Sequence, residues 1–550
     1  MANTVTIGQY LIERLHAEGV GHMFGVPGDF ILKFMAEVCA SPIEMVNTSD
    51  EQGAIFAADA YGRVRGLGVA CVTYMVGGLK VANGTGQAFA EESPVVVISG
   101  SPGLSERRRQ KRLHHVVRDY DDQLQIFKHL TLAQAVIDNP ETATREIDRV
   151  IDAAMRWRRP VYLEIPRDMV DVEVQRVPFV PGPEMVSDLD ALNAAVEEAI
   201  DRLKASKRPM LMLGVQVQRF GMEAEALALA EKTGMPIVET LLGKSSIDPD
   251  HPNYLGVYAG GMGLAHVTEA VEASDCLVIL GSFLSDLETG NFTARLKESN
   301  IIHAIRGRLS MGYHDYDVVR ADDFLRALAK ADLPRLVNQT VSHPQPTPWT
   351  PIPPETPMTA DRLFADVGAR INENVVVIAD PGDALGGGLD LPINRSAGFL
   401  CPAFYASLGF AVPASIGVGL ALPTARPLVL VGDGAFQMGG TELSTAVRFG
   451  VAPIVIVINN DGYAIERYML DGTFNDILRW EYSKLPDLLG AGNGFRVETE
   501  GEFQAALDAA FADTSVFSII DVRIGKLDVS DSLKRLTSSM ANTARGQSVA

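Results

Sequence analysis

The sequence predicts an α/β protein of three doubly wound parallel-sheet domains, and three observations point there. The chain has 550 residues, 47% hydrophobic and 21% charged. At about 150 residues per domain that is enough for three or four globular cores. Short, near-continuous apolar runs alternate with helical stretches, the pattern of parallel strands covered on both faces. Proline then marks two boundaries: Pro178 to Pro183 (PFVPGP), and Pro344 to Pro357, where seven of fourteen residues are proline. Such stretches can continue neither a helix nor a central strand. The chain therefore divides into 1–180, 188–340 and 358–550.

The opening MANTVTIGQYLIERLHAEG reads as an amphipathic helix with internal charges, not as a signal peptide. In the first segment Ile43 to Val46 is strand-like and leads into a helical EQGAIFAADAYGR. Val69 to Tyr74 and Val95 to Ser99 flank a helical Gly78 to Glu91, and Arg159 to Ile165 closes the segment as another strand. In the second, Met210 to Leu213 and Cys276 to Leu280 are candidate buried strands. In the third, Val375 to Ala379, Leu428 to Val431, Ile454 to Ile458 and Phe517 to Val522 alternate with helical patterns.

The net charge of −21 excludes nucleic acid as the expected partner, because phosphate backbones need clustered Lys and Arg. A phosphorylated cofactor stays compatible, since backbone N–H groups and a bound cation hold phosphate locally. Cys39, Cys71, Cys276 and Cys401 are scattered with no CxxC pair, which suits a reducing compartment and gives no zinc site. No apolar run approaches the ~18 residues of a membrane span. The expectation is a cytoplasmic protein without a membrane segment.

The chemistry concentrates in PLVLVGDGAFQMGGTELSTAVRFGVAPIVIVINNDGYAIERYM, from Pro427 to Met469. A strand ends in Gly432-Asp433-Gly434, and Ala435 onward reads as a helix. A second strand ends in Asn459-Asn460-Asp461-Gly462. In a parallel sheet both strand ends lie on one edge, where open α/β sheets bind ligands. Asp433 and Asn460 supply hard oxygen donors suited to magnesium or calcium, and a helix N-terminus adds free N–H groups for a diphosphate. Taken singly, each motif is an ordinary turn. Together at this spacing, GDG and then NN after 24 residues, they resemble the cofactor motif of the thiamine-diphosphate enzymes. The resemblance implies thiamine diphosphate with Mg2+, the metal held by Asp433, Asn460 and the Gly462 carbonyl. It also implies cofactor contacts at Gly432, Gly434, Ala435, Asp383, Tyr463 and Ile465. It makes 1–180 a pyrimidine-binding domain and 358–550 a diphosphate-binding domain.

Thiamine chemistry needs a shielded carboxyl bonded to the aminopyrimidine. Glu51 opens a helix, where an acid is equally at home for the macrodipole alone. NTSDEQGAIFAADAYGR nevertheless resembles the family segment around its activating glutamate. Three further pieces, Asp29 in GVPGDF, the pair His114-His115 and Glu466 in GYAIE, together resemble the pyruvate and indolepyruvate decarboxylase branch. There the implied reaction converts a 2-oxo acid to an aldehyde and CO2 through a thiamine enamine. Glu51 would activate the cofactor, while Asp29, His114, His115 and Glu466 move protons around the adduct. FYASLGFAVP resembles the stretch that holds the cofactor bent, with Leu408 between the rings and the Ala406 carbonyl accepting from the aminopyrimidine.

In DPGDALGGG, Leu385 takes the position of an aromatic residue in pyruvate-selective relatives, and three glycines follow it. That predicts an open pocket for an aromatic or long-chain 2-oxo acid such as phenylpyruvate or indolepyruvate. Some phenylpyruvate-type relatives lack the counterpart of Glu466, which this chain retains. The alternatives are a pyruvate or branched-chain 2-oxo acid decarboxylase, or a carboligase of the acetolactate-synthase type. The central domain, with only Gly260-Gly261-Met262-Gly263, reads as structural, with a regulatory or vestigial nucleotide site as the alternative. The family's shared sites imply a homo-oligomer, with a dimer as the minimum and a tetramer expected.

Overall fold

The computed structural model describes residues 4–337 except 110 and 184, then 349–535 and 537. The first sheet runs, in spatial order, Glu44–Asn47, His22–Gly25, Gly68–Val72, Val95–Ser101, Val161–Pro166 and Gln134–Val136, and all its pairs are parallel. The third sheet runs Phe399–Leu400, Val375–Ala379, Arg426–Gly432, Ile454–Asn459, Ser518–Arg523 and Asn493–Val497, again all parallel. Counted along the chain, both sheets have the strand order 2-1-3-4-6-5. That topological repeat leaves no visible sequence repeat.

The central sheet begins with five parallel strands, Tyr254–Val257, Ile237–Glu239, Pro209–Leu213, Cys276–Leu280 and Ile301–Ile305. It ends in two antiparallel strands, Arg308–Met311 and His314–Tyr316. This edge departs from an all-parallel sheet because Ile305 and Arg308 face each other across the two-residue turn Arg306-Gly307, with Gly307 at φ +87°. A two-residue turn can only reverse the chain; a parallel return needs a crossover.

The helix Glu51–Arg65 starts on Asp50, whose side chain accepts from the Gln52 N–H, and stops at Gly66 in the left-handed region. It packs on the apolar helix Ala411–Ala421 of the third domain. The approach is close enough that a Cβ at Gly417 would lie 2.1 Å from the Ala57 carbonyl oxygen. Phe56 meets Phe410 edge-on at 5.6 Å. One continuous apolar core thereby joins residues of both sheets, including Tyr61 and Val97 with Ile416 and Val429. Burying helices on each other in this way fixes the first and third sheets relative to each other.

Of the proline-rich stretch, residues 344–348 lie outside the described residues. The rest runs along the third sheet, with Met358 N–H donating to the Glu498 carbonyl and Gly501 N–H to that of Pro354. No helix among the described residues is long and apolar enough to cross a membrane.

Candidate active site

The strand Arg426–Gly432 pairs in register with Ile454–Asn459, Gly432 beside Ile458. The residues that follow, Asp433 and Asn460, therefore emerge on the same sheet edge. This edge is also where strand order reverses, between Val375–Ala379 and Arg426–Gly432, the usual ligand position in open α/β sheets. A cavity of about 280 Å³ opens there. It is lined by Asp383, Ala406, Leu408, Gly432, Asp433, Gly434, Ala435, Asn460, Gly462, Tyr463, Ile465 and Glu466, together with Leu385. Every third-domain residue to which the sequence reading gave a cofactor, metal or catalytic role meets at this one cavity.

Alternation along the strand separates the two asparagines. Asn459 is fully buried and donates to the Asp521 carboxylate at 2.6 Å. Asn460 lines the cavity and makes no side-chain hydrogen bond among the described residues. Asp433 is 1% exposed. Its carboxylate accepts from the N–H groups of Gly434 (2.8 Å) and Gly462 (3.0 Å). Burial pushes its pKa up to about 6, against the pull of those donors. No cationic side chain pairs with it among the described residues. Gly462 has φ +136°, and a Cβ there would lie 1.9 Å from the Asn475 carbonyl oxygen, so glycine is required. The helix starts at Asp433 rather than Ala435 and runs only to Gly439. The aspartate itself thus occupies the first helical turn, where the N–H groups are free.

Asp380, which opens DPGDALGGG but received no role in the sequence, holds the loop that carries Ala406 and Leu408. It is fully buried and accepts from Gly409 and Ala411 N–H, each at 2.8 Å, and the loop includes Ala406 at φ +58°. An acid directly after a buried strand was the available signal. Burial raises its pKa to about 7. A carboxyl raised from about 3.9 in the unfolded chain contributes its stability below about pH 4 and loses it as pH climbs through 7. Asp380→Asn should therefore gain about 2–3 kcal/mol relative to wild type between pH 5 and pH 8. Thermal melts at the two pH values test this; a pH-independent difference means the carboxyl is ionised throughout.

Asp383 accepts from the Ser530 N–H and hydroxyl, the former at 3.1 Å, and burial raises its pKa to about 6. This anchors the C-terminal segment, whose Ser532 also lines the cavity. Arg467, buried, donates to the Asp461 carbonyl at 2.6 Å and to Asp476 at 2.8 Å, bracing the turn after Asn460. The central domain contributes Leu241, Met262 and Leu287 to the wall. That domain, read from the sequence as structural, thus also lines the cavity. The sequence missed these residues because isolated apolar side chains in loops have no periodic signature.

The first-domain residues gather elsewhere. His114 Nε2 lies 2.9 Å from Asp29 Oδ2, and its ring stacks on Phe30 at 5.0 Å. His115 sits edge-on to His114 at 4.6 Å, with φ +69° and a buried Nδ1 that lacks a partner among the described residues. The three side chains form one cluster. Glu51, mostly buried, pairs with Lys80 at 2.7 Å. Both Asp29 and Glu51 follow strands of the first sheet at its carboxyl edge. Behind Glu51, the buried Glu442 of the third domain accepts from Ser49 and Asp50 N–H at 3.1 and 3.0 Å. Glu51, Asp29, His114 and His115 do not line the Asp433 cavity within a single chain.

Comparison with known proteins matches three domain families in order along the chain. Residues 5–126 match the thiamine pyrophosphate enzyme N-terminal TPP-binding domain, 196–328 the central domain and 387–522 the C-terminal TPP-binding domain. Among curated relatives, the chain is 39% identical to an indole-3-pyruvate decarboxylase of Azospirillum brasilense, over 96% of this chain and 97% of the relative. It is 33% identical to alpha-keto-acid decarboxylases of Mycobacterium leprae (97% and 95% covered) and Mycobacterium avium (95% and 94%). With a buried acid and a free asparagine amide at the switch point and all three domain matches in order, the chain belongs to the thiamine-diphosphate-dependent 2-oxo acid decarboxylases.

Proposed function

We propose that this enzyme decarboxylates an aromatic or long-chain 2-oxo acid, phenylpyruvate or indolepyruvate being representative, with Mg2+ beside the thiamine diphosphate. The observation that carries the substrate reading is the cavity wall. Leu385 is followed by glycines, and Leu241, Met262, Leu287, Leu389, Ile465 and Met469 add apolar surface. A largely apolar wall with leucine rather than an aromatic side chain at position 385 takes a large side chain and gives a short one little to bind. The name of the Azospirillum relative agrees with this reading.

The residues fit the cofactor and its metal. Asp433 is a buried carboxylate without a cationic partner among the described residues, and the Asn460 amide beside it is unengaged. Such a donor set suits a divalent cation that shares its shell with phosphate and water. Asp433, Asn460 and the Gly462 carbonyl would hold the metal. Gly432, Gly434, Ala435, Asp383, Tyr463 and Ile465 would line the cofactor, Leu408 would support its bend, and the Ala406 carbonyl would take its amino group. When bound, thiamine diphosphate supplies the carbon nucleophile and the electron sink for loss of CO2. Glu51 would hold and exchange a proton at the pyrimidine ring. Asp29, His114, His115 and Glu466 would hold the protons needed as the substrate oxygen and carbon change charge.

Glu51 and the Asp29 cluster lie away from the Asp433 cavity of their own chain, which supports a site shared between two copies. We therefore propose a dimer as the minimum and a tetramer as the assembly, with domains at 1–180, 188–340 and 358–550. All four cysteines are free thiols, which supports a reducing, cytoplasmic location.

The test is a substrate panel of phenylpyruvate, indolepyruvate, 2-oxoisocaproate and pyruvate. We expect kcat/KM for the aromatic acids to exceed that for pyruvate at least about tenfold; a preference for pyruvate overturns the substrate reading. Leu385→Trp should lower kcat/KM for phenylpyruvate about tenfold or more while leaving pyruvate within a few-fold. Equal losses on both acids would show that Leu385 does not set side-chain size. Product analysis with added aldehyde separates decarboxylation from carboligation.

A further inference from the structure

A second cavity, of about 390 Å³, lies between the first and central domains and shares no lining residue with the Asp433 cavity. It is lined by Asp152, Arg156, Trp157, Pro181, Pro183, Met185, Arg306 and Arg320. Among the described residues, three arginines and one carboxylate line it, in a protein whose net charge is −21. Two of the three are engaged. Arg156 pairs with Asp152 at 2.6 Å and donates to the Pro183 carbonyl at 2.7 Å. Arg320 pairs with Asp322 and donates to the Met185 carbonyl at 2.8 Å.

Arg306 differs. It sits in the two-residue turn between antiparallel strands, and its backbone N–H donates to Gln216 Oε1 at 2.7 Å. The Trp157 and Phe220 rings stand 4.6 and 4.5 Å from its guanidinium carbon. The guanidinium itself has no hydrogen bond and no carboxylate partner among the described residues, and its Nε is buried and unpartnered. Burial, with Arg320 nearby, lowers its pKa. A partly desolvated guanidinium, held between rings and left without an acceptor, is costly unless something supplies one. Cation–π contact offsets the charge but satisfies no N–H. The free edge of a planar fork matches paired oxygens of a carboxylate or phosphate.

We propose that this cavity is a binding site for a small oxyanion, a carboxylate or phosphate group, held by the edge of Arg306 with Arg156 and Arg320 alongside. Its ligand would touch the first-domain helix Ala143–Trp157, the connecting segment and the central sheet at once. Occupancy would therefore strengthen the docking of the first domain on the central one.

Isothermal titration of the holoenzyme, saturated with thiamine diphosphate and magnesium, tests this with inorganic phosphate, acetate and chloride at matched ionic strength. We expect saturable binding of phosphate or acetate at one per chain and none of chloride. Whichever binds tighter identifies the group as phosphate or carboxylate. Arg306→Met should weaken binding at least about tenfold. Arg156→Gln, which leaves the ring sandwich intact, should weaken it several-fold and serves if Arg306→Met fails to fold. Unchanged affinity in both variants, or heats that follow ionic strength alone, overturn the proposal. Glu184 lies in the chain between two lining residues; if an anion binds only after Glu184→Gln, the cavity is an internal ion-pair socket and the proposal fails. None of these outcomes depends on which 2-oxo acid the enzyme prefers.

Discussion

Glu51→Gln should reduce kcat on every 2-oxo acid by about 10²–10⁴-fold, the range for losing a positioned acid–base group, while the protein folds and retains its cofactor. The side chain keeps its size and its place at the start of Glu51–Arg65, and that helix keeps its Asp50 cap and its packing on Ala411–Ala421. What disappears is the exchangeable proton. The Asp433 cavity is untouched, so cofactor binding followed by tryptophan fluorescence should stay within a few-fold of wild type. Near-wild-type turnover in this variant would remove Glu51 from the activating role. Loss of both binding and turnover would make it a structural acid instead.

Asp433→Asn should abolish magnesium-dependent cofactor retention, weakening it at least about 100-fold. Removing a mere outer-shell partner of a metal site already costs about 10–100-fold, and this change removes the anionic donor itself. The cofactor-free variant should still fold and melt close to wild type: removing a desolvated charge is offset because the amide nitrogen cannot accept one of the Gly434 and Gly462 N–H bonds that the carboxylate takes. Mixing gives a sharper result. If Glu51 of one copy and Asp433 of another face one cofactor, a Glu51→Gln/Asp433→Asn hybrid dimer has one intact site and one doubly damaged site. Random reassembly of the two inactive variants should then recover about one quarter of wild-type activity. No recovery, with hybrids verified by mass, places both residues on the same chain's site and contradicts the shared-site proposal.

The strands were legible because burial on both faces leaves a simple trace: Val375–Ala379 and Ile454–Asn459 are almost entirely Val, Ile and Ala. The GDG and NN motifs were legible because backbone close approach demands glycine at Gly434 and Gly462, where a Cβ would strike Tyr463 and the Asn475 carbonyl. Less legible were positions whose roles come from distant partners. Glu442 caps the segment before Glu51 across some 390 residues of chain. Asp380 steadies the Ala406 loop through two backbone amides. The hairpin at Arg306-Gly307, which turns the central sheet's edge antiparallel, had only a single glycine to announce it.

The sequence by itself determined the fold class and the cofactor family, and it named the residues that gather around Asp433. Local rules govern these: strand burial, turn glycines, and an acid where helix N–H groups are free. Only the tertiary structure decided how they are grouped. It brought the Gly432 to Asn460 stretch to one sheet edge with Asp383, Ala406 and Leu408, and it walled that cavity with central-domain leucines and a methionine. It also left Glu51 and the Asp29–His114–His115 cluster outside the cavity of their own chain. The reason is packing: burial of the Glu51 helix on Ala411–Ala421 sets the first and third sheets relative to each other, and no local pattern encodes that orientation.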